Sequence, residues 1–174
     1  VSAFDLDDVI AIFINDGAAD PSWTGYPITT GADGARSVFA ADMDNDGDMD
    51  VVSASANDNK IAWYENTTSA VYNPSWAANT VISFSSDYHV TGIDAIDLDS
   101  DGDIDILQGD AGMGSSNQKI RWHQNNGSES FTSINIYDGL SGRIVSTDLD
   151  NDGDIDVLLG EMNPDGHNIK WFQN

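Results

Sequence analysis

One nine-residue segment occurs three times in this chain: DMDNDGDMD at 42–50, DLDSDGDID at 97–105 and DLDNDGDID at 148–156. Each copy crowds five aspartates around a single glycine. Carboxylates this close raise one another's pKa values unless a cation neutralises them. The starts are 55 and 51 residues apart, a period typical of propeller blades or solenoid units. The segment therefore calls for a cation, and its recurrence calls for a repeating fold.

The rest of the chain repeats in step. A short alternating run enters each aspartate segment (SVFAAD, GIDAID, RIVSTD), and a run rich in Val, Ile and Leu leaves it (MDVVSAS, IDILQG, IDVLLG). After a Gly/Asn/Asp-rich turn come KIAWYEN (60–66), KIRWHQN (119–125) and NIKWFQN (168–174), with VIAIFIN (9–15) as a fourth member carrying Ile12 in the tryptophan position. A last run places Trp23, Trp76 and Phe131 alike. Four short β runs per unit, with no helical period anywhere, predict an all-β chain of four-stranded antiparallel propeller blades. The expected units are a partial blade at 1–30 and repeats at about 31–85, 86–137 and 138–174. Residues 1–15 align without a gap on 52–66, so the first unit lacks its aspartate segment and the last lacks its fourth strand. Such a domain is expected to belong to a larger propeller or to associate through its incomplete terminal blades.

Charge narrows the partners. The chain has 30 acidic and 6 basic residues, a net charge of −24, and the three segments hold 15 of those acids. A surface of this sign repels nucleic acid and anionic lipid, and no apolar run is long enough for membrane insertion. Concentrated rather than spread, the charge points to cation sites. Cysteine is absent, which excludes disulfides and thiolate metal centres.

Aspartates at positions 1, 3, 5 and 9 with glycine at 6 suit calcium, which takes six to eight oxygen ligands. The expected ligands are Asp42, Asp44, Asp46 and Asp50 by side chain and Asp48 by its carbonyl. Their equivalents are Asp97, Asp99, Asp101, Asp103 and Asp105, then Asp148, Asp150, Asp152, Asp154 and Asp156. Three Ca2+ ions are expected. A helical calcium loop is excluded, because its glutamate at position 12 is replaced by Ser53, Gln108 and Leu159 and a strand-forming run follows.

The string SVFAADMDNDGDMDVVSASANDNKIAWYEN resembles the FG-GAP/VCBS-type repeats of large secreted bacterial proteins, themselves similar to the calcium-bearing blades of integrin α-subunit propellers. The resemblance covers essentially the whole chain. It implies a propeller, often seven-bladed, with calcium between the first and second strands of each blade. It also implies a secreted or cell-surface location and a role in adhesion, carbohydrate binding or scaffolding of polysaccharide lyases.

Other residues carry weaker signals. His123 replaces Tyr64 and Phe172 of sister strands and is read as structural, while His89 and His167 fall in loops without metal-ligand spacing. Trp63, Trp122 and Trp171 recur at one place per unit and are read as packing residues. No nucleophile elbow or phosphate loop is present, no catalytic residue or cofactor is assigned, and nothing pairs Asp94, Glu129, Glu161 or Asp165 for glycoside chemistry. Segments 109–118 and 161–168 differ in length from their counterpart and are the candidate ligand loops. The reading that follows is a calcium-binding extracellular module of adhesion, recognition or structure, with a glycan or protein ligand. The alternative is the propeller scaffold of a secreted polysaccharide-degrading enzyme.

Overall fold

A computed structural model describes residues 1–4, 8–68, 74–84, 90–110, 118–139, 142–161 and 168–174. These form fourteen strands and no helix: β1 (Ser2–Phe4), β2 (Val9–Asn15), β3 (Trp23–Thr29), β4 (Ala35–Ala41), β5 (Asp50–Ser55), β6 (Lys60–Asn66), β7 (Trp76–Ser83), β8 (Val90–Ile96), β9 (Asp105–Asp110), β10 (Lys119–Asn125), β11 (Phe131–Asp138), β12 (Gly142–Thr147), β13 (Asp156–Glu161) and β14 (Asn168–Phe172). Every pairing joins sequence neighbours antiparallel, giving four sheets: β1–β3, β4–β7, β8–β11 and β12–β14. The all-β expectation holds, and the short first and last sheets fall where the sequence phase puts them.

The sheets stack face on face. Apolar residues leave alternate sides of each strand, so neighbours along β5 serve different interfaces. Val51 packs with Ile10, Ala62 and Tyr64 between the first and second sheets. Val52, one residue on, joins Ile61, Trp63, Ile93 and Ile106 between the second and third. The third interface gathers Leu107, Ile120, Ile144, Val157 and Leu159. Burial on both faces explains why Val51 and Val52 in β5, and Ile106 and Leu107 in β9, are apolar side by side rather than alternating with polar residues.

Trp63 is fully buried in the second interface, and cutting it to alanine should cost about 3–5 kcal/mol. Trp122 packs half-buried on the third, whereas Trp171, facing outward from the last sheet, is exposed. Packing is thus the work of the tryptophan position wherever a following sheet exists to receive it. Trp76 and Phe131 close the first and second interfaces from the side of the following sheet.

Candidate metal centres

All three aspartate segments connect the first strand of a complete unit to its second: β4 to β5, β8 to β9 and β12 to β13. Antiparallel order puts all three at the same end of the stack. The turns β5–β6, β9–β10 and β13–β14 therefore lie at the other end.

Within each loop the backbone folds the same way. The fourth residue takes a left-handed conformation (Asn45 φ 61°, Ser100 61°, Asn151 60°) and so does the sixth (Gly47 96°, Gly102 96°, Gly153 102°). Asparagine, present at the fourth place in two of the three loops, tolerates that region, and the glycine at the sixth occupies it without a Cβ penalty. The first aspartate gathers the turn by accepting backbone N–H groups. Asp42 takes those of Asp46 and Gly47 at 3.1 Å each, Asp97 those of Asp101 and Gly102 at 3.1 and 3.0 Å, and Asp148 that of Gly153 at 3.2 Å.

The last aspartate locks the loop to its sheet. Asp105 is fully buried and accepts the N–H of Leu98 at 3.1 Å and of Asn125 at 2.7 Å. Asp50 does the same with Met43 and Asn66, and Asp156 with Leu149 and Asn174. Desolvation pushes Asp105 up to about 6, against those donated N–H groups. In Asp156, on the outermost sheet, desolvation also pushes upward, but the N–H groups of Asn174 and Leu149 outweigh it and the net direction is down.

Three carboxylates converge in each loop, with one oxygen apiece lying within 4.8 Å of the others: Asp42, Asp44 and Asp50; Asp97, Asp99 and Asp101; Asp148, Asp150 and Asp156. Asp46, Asp48, Asp103, Asp105, Asp152 and Asp154 stand outside these groups. Asp103 instead turns its carboxylate to the Asn45 amide of the neighbouring loop at 3.1 Å. The third-position aspartates Asp44 and Asp150 are pushed up, by desolvation first and by neighbouring carboxylates as well. Gln124 and Gln173 steady two third-position carboxylates, donating to Asp99 at 2.6 Å and Asp150 at 2.7 Å.

The donor set fits a hard divalent cation. Oxygens that share a calcium at about 2.3–2.6 Å lie no more than about 5 Å apart, and the observed clusters meet that limit. Asp148 Oδ1 is buried without a hydrogen-bond partner, a costly state for a carboxylate oxygen unless something else contacts it.

Residues 1–53 and 44–107 each match the FG-GAP-like repeat model, together spanning more than half of the chain. The chain belongs to the FG-GAP-like repeat family. No curated protein matches it. The third aspartate loop of this FG-GAP chain lies beyond the matched residues, yet it shares the backbone turns of the first two and the carboxylate cluster of the first. No helix among the described residues is long and apolar enough to cross a membrane.

A second polar feature surrounds His123, whose structural role its buried position bears out. Arg121 on β10 pairs with Asp110 of β9 at 2.9 Å, both nearly fully buried. Gln108 links that region to His123 Nε2 at 2.7 Å, and Ser133 meets His123 Nδ1 at 2.8 Å. Burial pushes Asp110 up despite the guanidinium beside it. The same places in the last sheet hold Lys170 and Glu161, 2.9 Å apart, with Tyr137 also against the ammonium. Asp94, isolated in the sequence, accepts the N–H of Ser146 at 2.9 Å across the third interface. His89, His167 and Asp165 lie outside the described residues, as does most of both candidate ligand loops.

Proposed function

We propose that this FG-GAP chain is a calcium-braced extracellular module of the propeller type, non-catalytic, serving adhesion or recognition. The observation that carries it is a cluster of three carboxylates in each of three loops, always including the first and third aspartates, on the same backbone turn at one end of the stack. In the first loop Asp42, Asp44 and Asp50 would hold the ion, with Asp46 and the Asp48 carbonyl as further donors. The equivalents are Asp97, Asp99, Asp101, Asp103 and Asp105, then Asp148, Asp150, Asp152, Asp154 and Asp156. Calcium rather than magnesium follows from the number of protein oxygens, since magnesium keeps much of its water.

Three divalent ions would take the formal charge from −24 to −18 and relieve repulsion where it is densest. Millimolar calcium outside cells suits loops of the extracellular class, which bind at about 10⁻⁴–10⁻³ M. The ion braces one end while the opposite turns are free to vary. Those turns run 56–59, 111–118 and 162–167 between their strands, and this is the end proposed to meet a glycan or protein.

Equilibrium dialysis against calcium, paired with thermal melts, tests the reading. Three ions per chain and a melting temperature that rises with calcium are expected. Asp42→Ala should lower the count by one and leave the other loops filled. A melt indifferent to chelator would sink the proposal. A glycan array probed with and without calcium tests the recognition half separately.

A further inference from the structure

The first two aspartate loops touch, through one side chain. Asn45, fourth residue of the first loop, donates its amide to the Asp103 carboxylate of the second at 3.1 Å and to the Gly102 carbonyl at 3.4 Å. Asn45 stands between Asp44 and Asp46, and the Asp46 N–H is held by Asp42 at 3.1 Å and by Asp44 at 3.2 Å. On the far side, the Gly102 N–H is held by Asp97 at 3.0 Å and the Asp103 N–H by Asp101 at 2.9 Å. Asp42 and Asp44 belong to the first converging cluster, Asp97 and Asp101 to the second. One amide therefore joins the two turns that the clusters organise.

The acceptor is held in place as well. A Cβ on Gly127, in the turn after β10, would collide with the Asp103 carboxylate. Glycine there leaves that carboxylate room to face Asn45.

The next pair of loops lacks this bridge. Ser100 takes the place of Asn45 with the same φ of 61°, but its side chain is shorter. Among the described residues it makes no hydrogen bond to Asp154, the counterpart of Asp103. Both pairs share the amide link from a seam asparagine, Asn125 to Met43 and Asn174 to Leu98. Asn45 is the difference between them.

We propose that Asn45 couples the first two calcium sites, so that filling either one strengthens the other, while the third fills independently. The inference rests on the calcium reading above. An ion that draws the first cluster together fixes the turn that carries Asn45. A fixed Asn45 holds Gly102 and Asp103 in place, and less ordering is left for the second ion to impose. Linkage makes the effect equal in both directions. Charge acts against it, because the first ion weakens the negative field that attracts the second, and salt screens that opposition. Asparagine and serine are both uncharged, so exchanging them at position 45 leaves the charge effect alone and removes the bridge.

Calorimetric titration with calcium chloride on the whole chain tests the coupling. Asp150→Ala leaves the first two loops. Adding Asp99→Ala leaves the first alone, and adding Asp44→Ala instead leaves the second alone. The binding constant for filling both loops, divided by the product of the two single-loop constants, is the coupling factor. Asn45→Ser introduced into all three chains should lower that factor about fivefold, the small end of the usual range, as suits an exposed bridge. Asp103→Ser attacks the bridge from its other side and should lower it similarly, which keeps the test open if Asn45→Ser lacks a native far-UV spectrum. The factor for the second and third loops, measured in the same way, should be smaller than the parent value for the first two. Calcium bound at each loop with a factor that neither variant changes would overturn the coupling alone. So would an equally large factor for the second and third loops, since the seam asparagines would then suffice. No calcium binding at any loop would overturn the calcium reading, and the coupling with it.

Discussion

Asn125 holds the carbonyl oxygen of Met43 with its side-chain amide, 3.4 Å away and in the neighbouring sheet. The same amide reaches the Ile104 carbonyl at 3.2 Å, while the Asn125 backbone N–H is held by Asp105. One buried residue thus ties its own aspartate loop to the preceding one.

Asn125→Ala should therefore destabilise by about 1–3 kcal/mol, the cost of leaving buried acceptors unpaired. Asn66 occupies the same place in the second sheet, but its amide holds only the Met49 carbonyl in an exposed setting. Asn66→Ala should cost clearly less. Urea unfolding of both variants gives the comparison, and equal losses would contradict the bridging role.

The Arg121–Asp110 pair invites a rescue experiment. Arg121→Ala strands a carboxylate in the interior and should cost about 3–5 kcal/mol. The second sheet carries Ser55 and Ala62 at the same two places, both inside the stack. Asp110→Ser combined with Arg121→Ala should therefore recover most of the loss. A double variant as unstable as the single one would show that the pair contributes more than mutual neutralisation.

His123 makes stability depend on pH. Burial, and after it the Arg121 guanidinium, pushes this imidazole down to about 4 from 6.5. The folded pKa is depressed, so between these values the unfolded chain takes up a proton that the folded chain refuses. The contribution is whole above pH 6.5 and lost as pH falls towards 4, amounting to roughly 3 kcal/mol. Phe172 stands at the same place in the last sheet. His123→Phe should be less stable at neutral pH, through the orphaned Gln108, and the gap to the parent should narrow on acidification. A gap constant with pH would exclude the mechanism.

Gly102 offers a purely conformational test. A Cβ there would meet no atom within 4 Å, yet φ is +96°. Gly102→Ala should cost about 1–2 kcal/mol from backbone strain alone and weaken calcium binding at one loop of three. Gly92, equally uncrowded and without positive φ, should accept alanine at little cost. Equal effects at the two positions would refute the turn argument.

The strands and loops were legible because their signals are local. Alternation, turn glycines and the aspartate spacing each act within a few residues, and the repeat supplies three readings of every element. The Arg121–Asp110–His123 cluster was illegible for the opposite reason. Arg121 and Asp110 are eleven residues apart, and nothing in KIRWHQN says that its cation faces the preceding sheet rather than water. Asp94 likewise found its partner Ser146 only across an interface. The loop carboxylates were assigned as one set by spacing, yet the folded loops divide them. Asp50 and Asp156 converge with the first and third aspartates of their loops while Asp105 does not, and Asp103 turns towards Asn45. Spacing places a side chain in a loop but does not choose its direction.

The bridging asparagines also bear on how such a chain can change length. Asn174 reaches back to Leu98 and Asn125 to Met43, never further than the adjoining unit. A gene segment duplicated or lost between equivalent points, such as Met43 and Leu98, would carry one donor and one acceptor with it and leave no amide or carbonyl stranded. Whole units can thus be gained or deleted without repair elsewhere, whereas an exchange out of phase would break the seam at once.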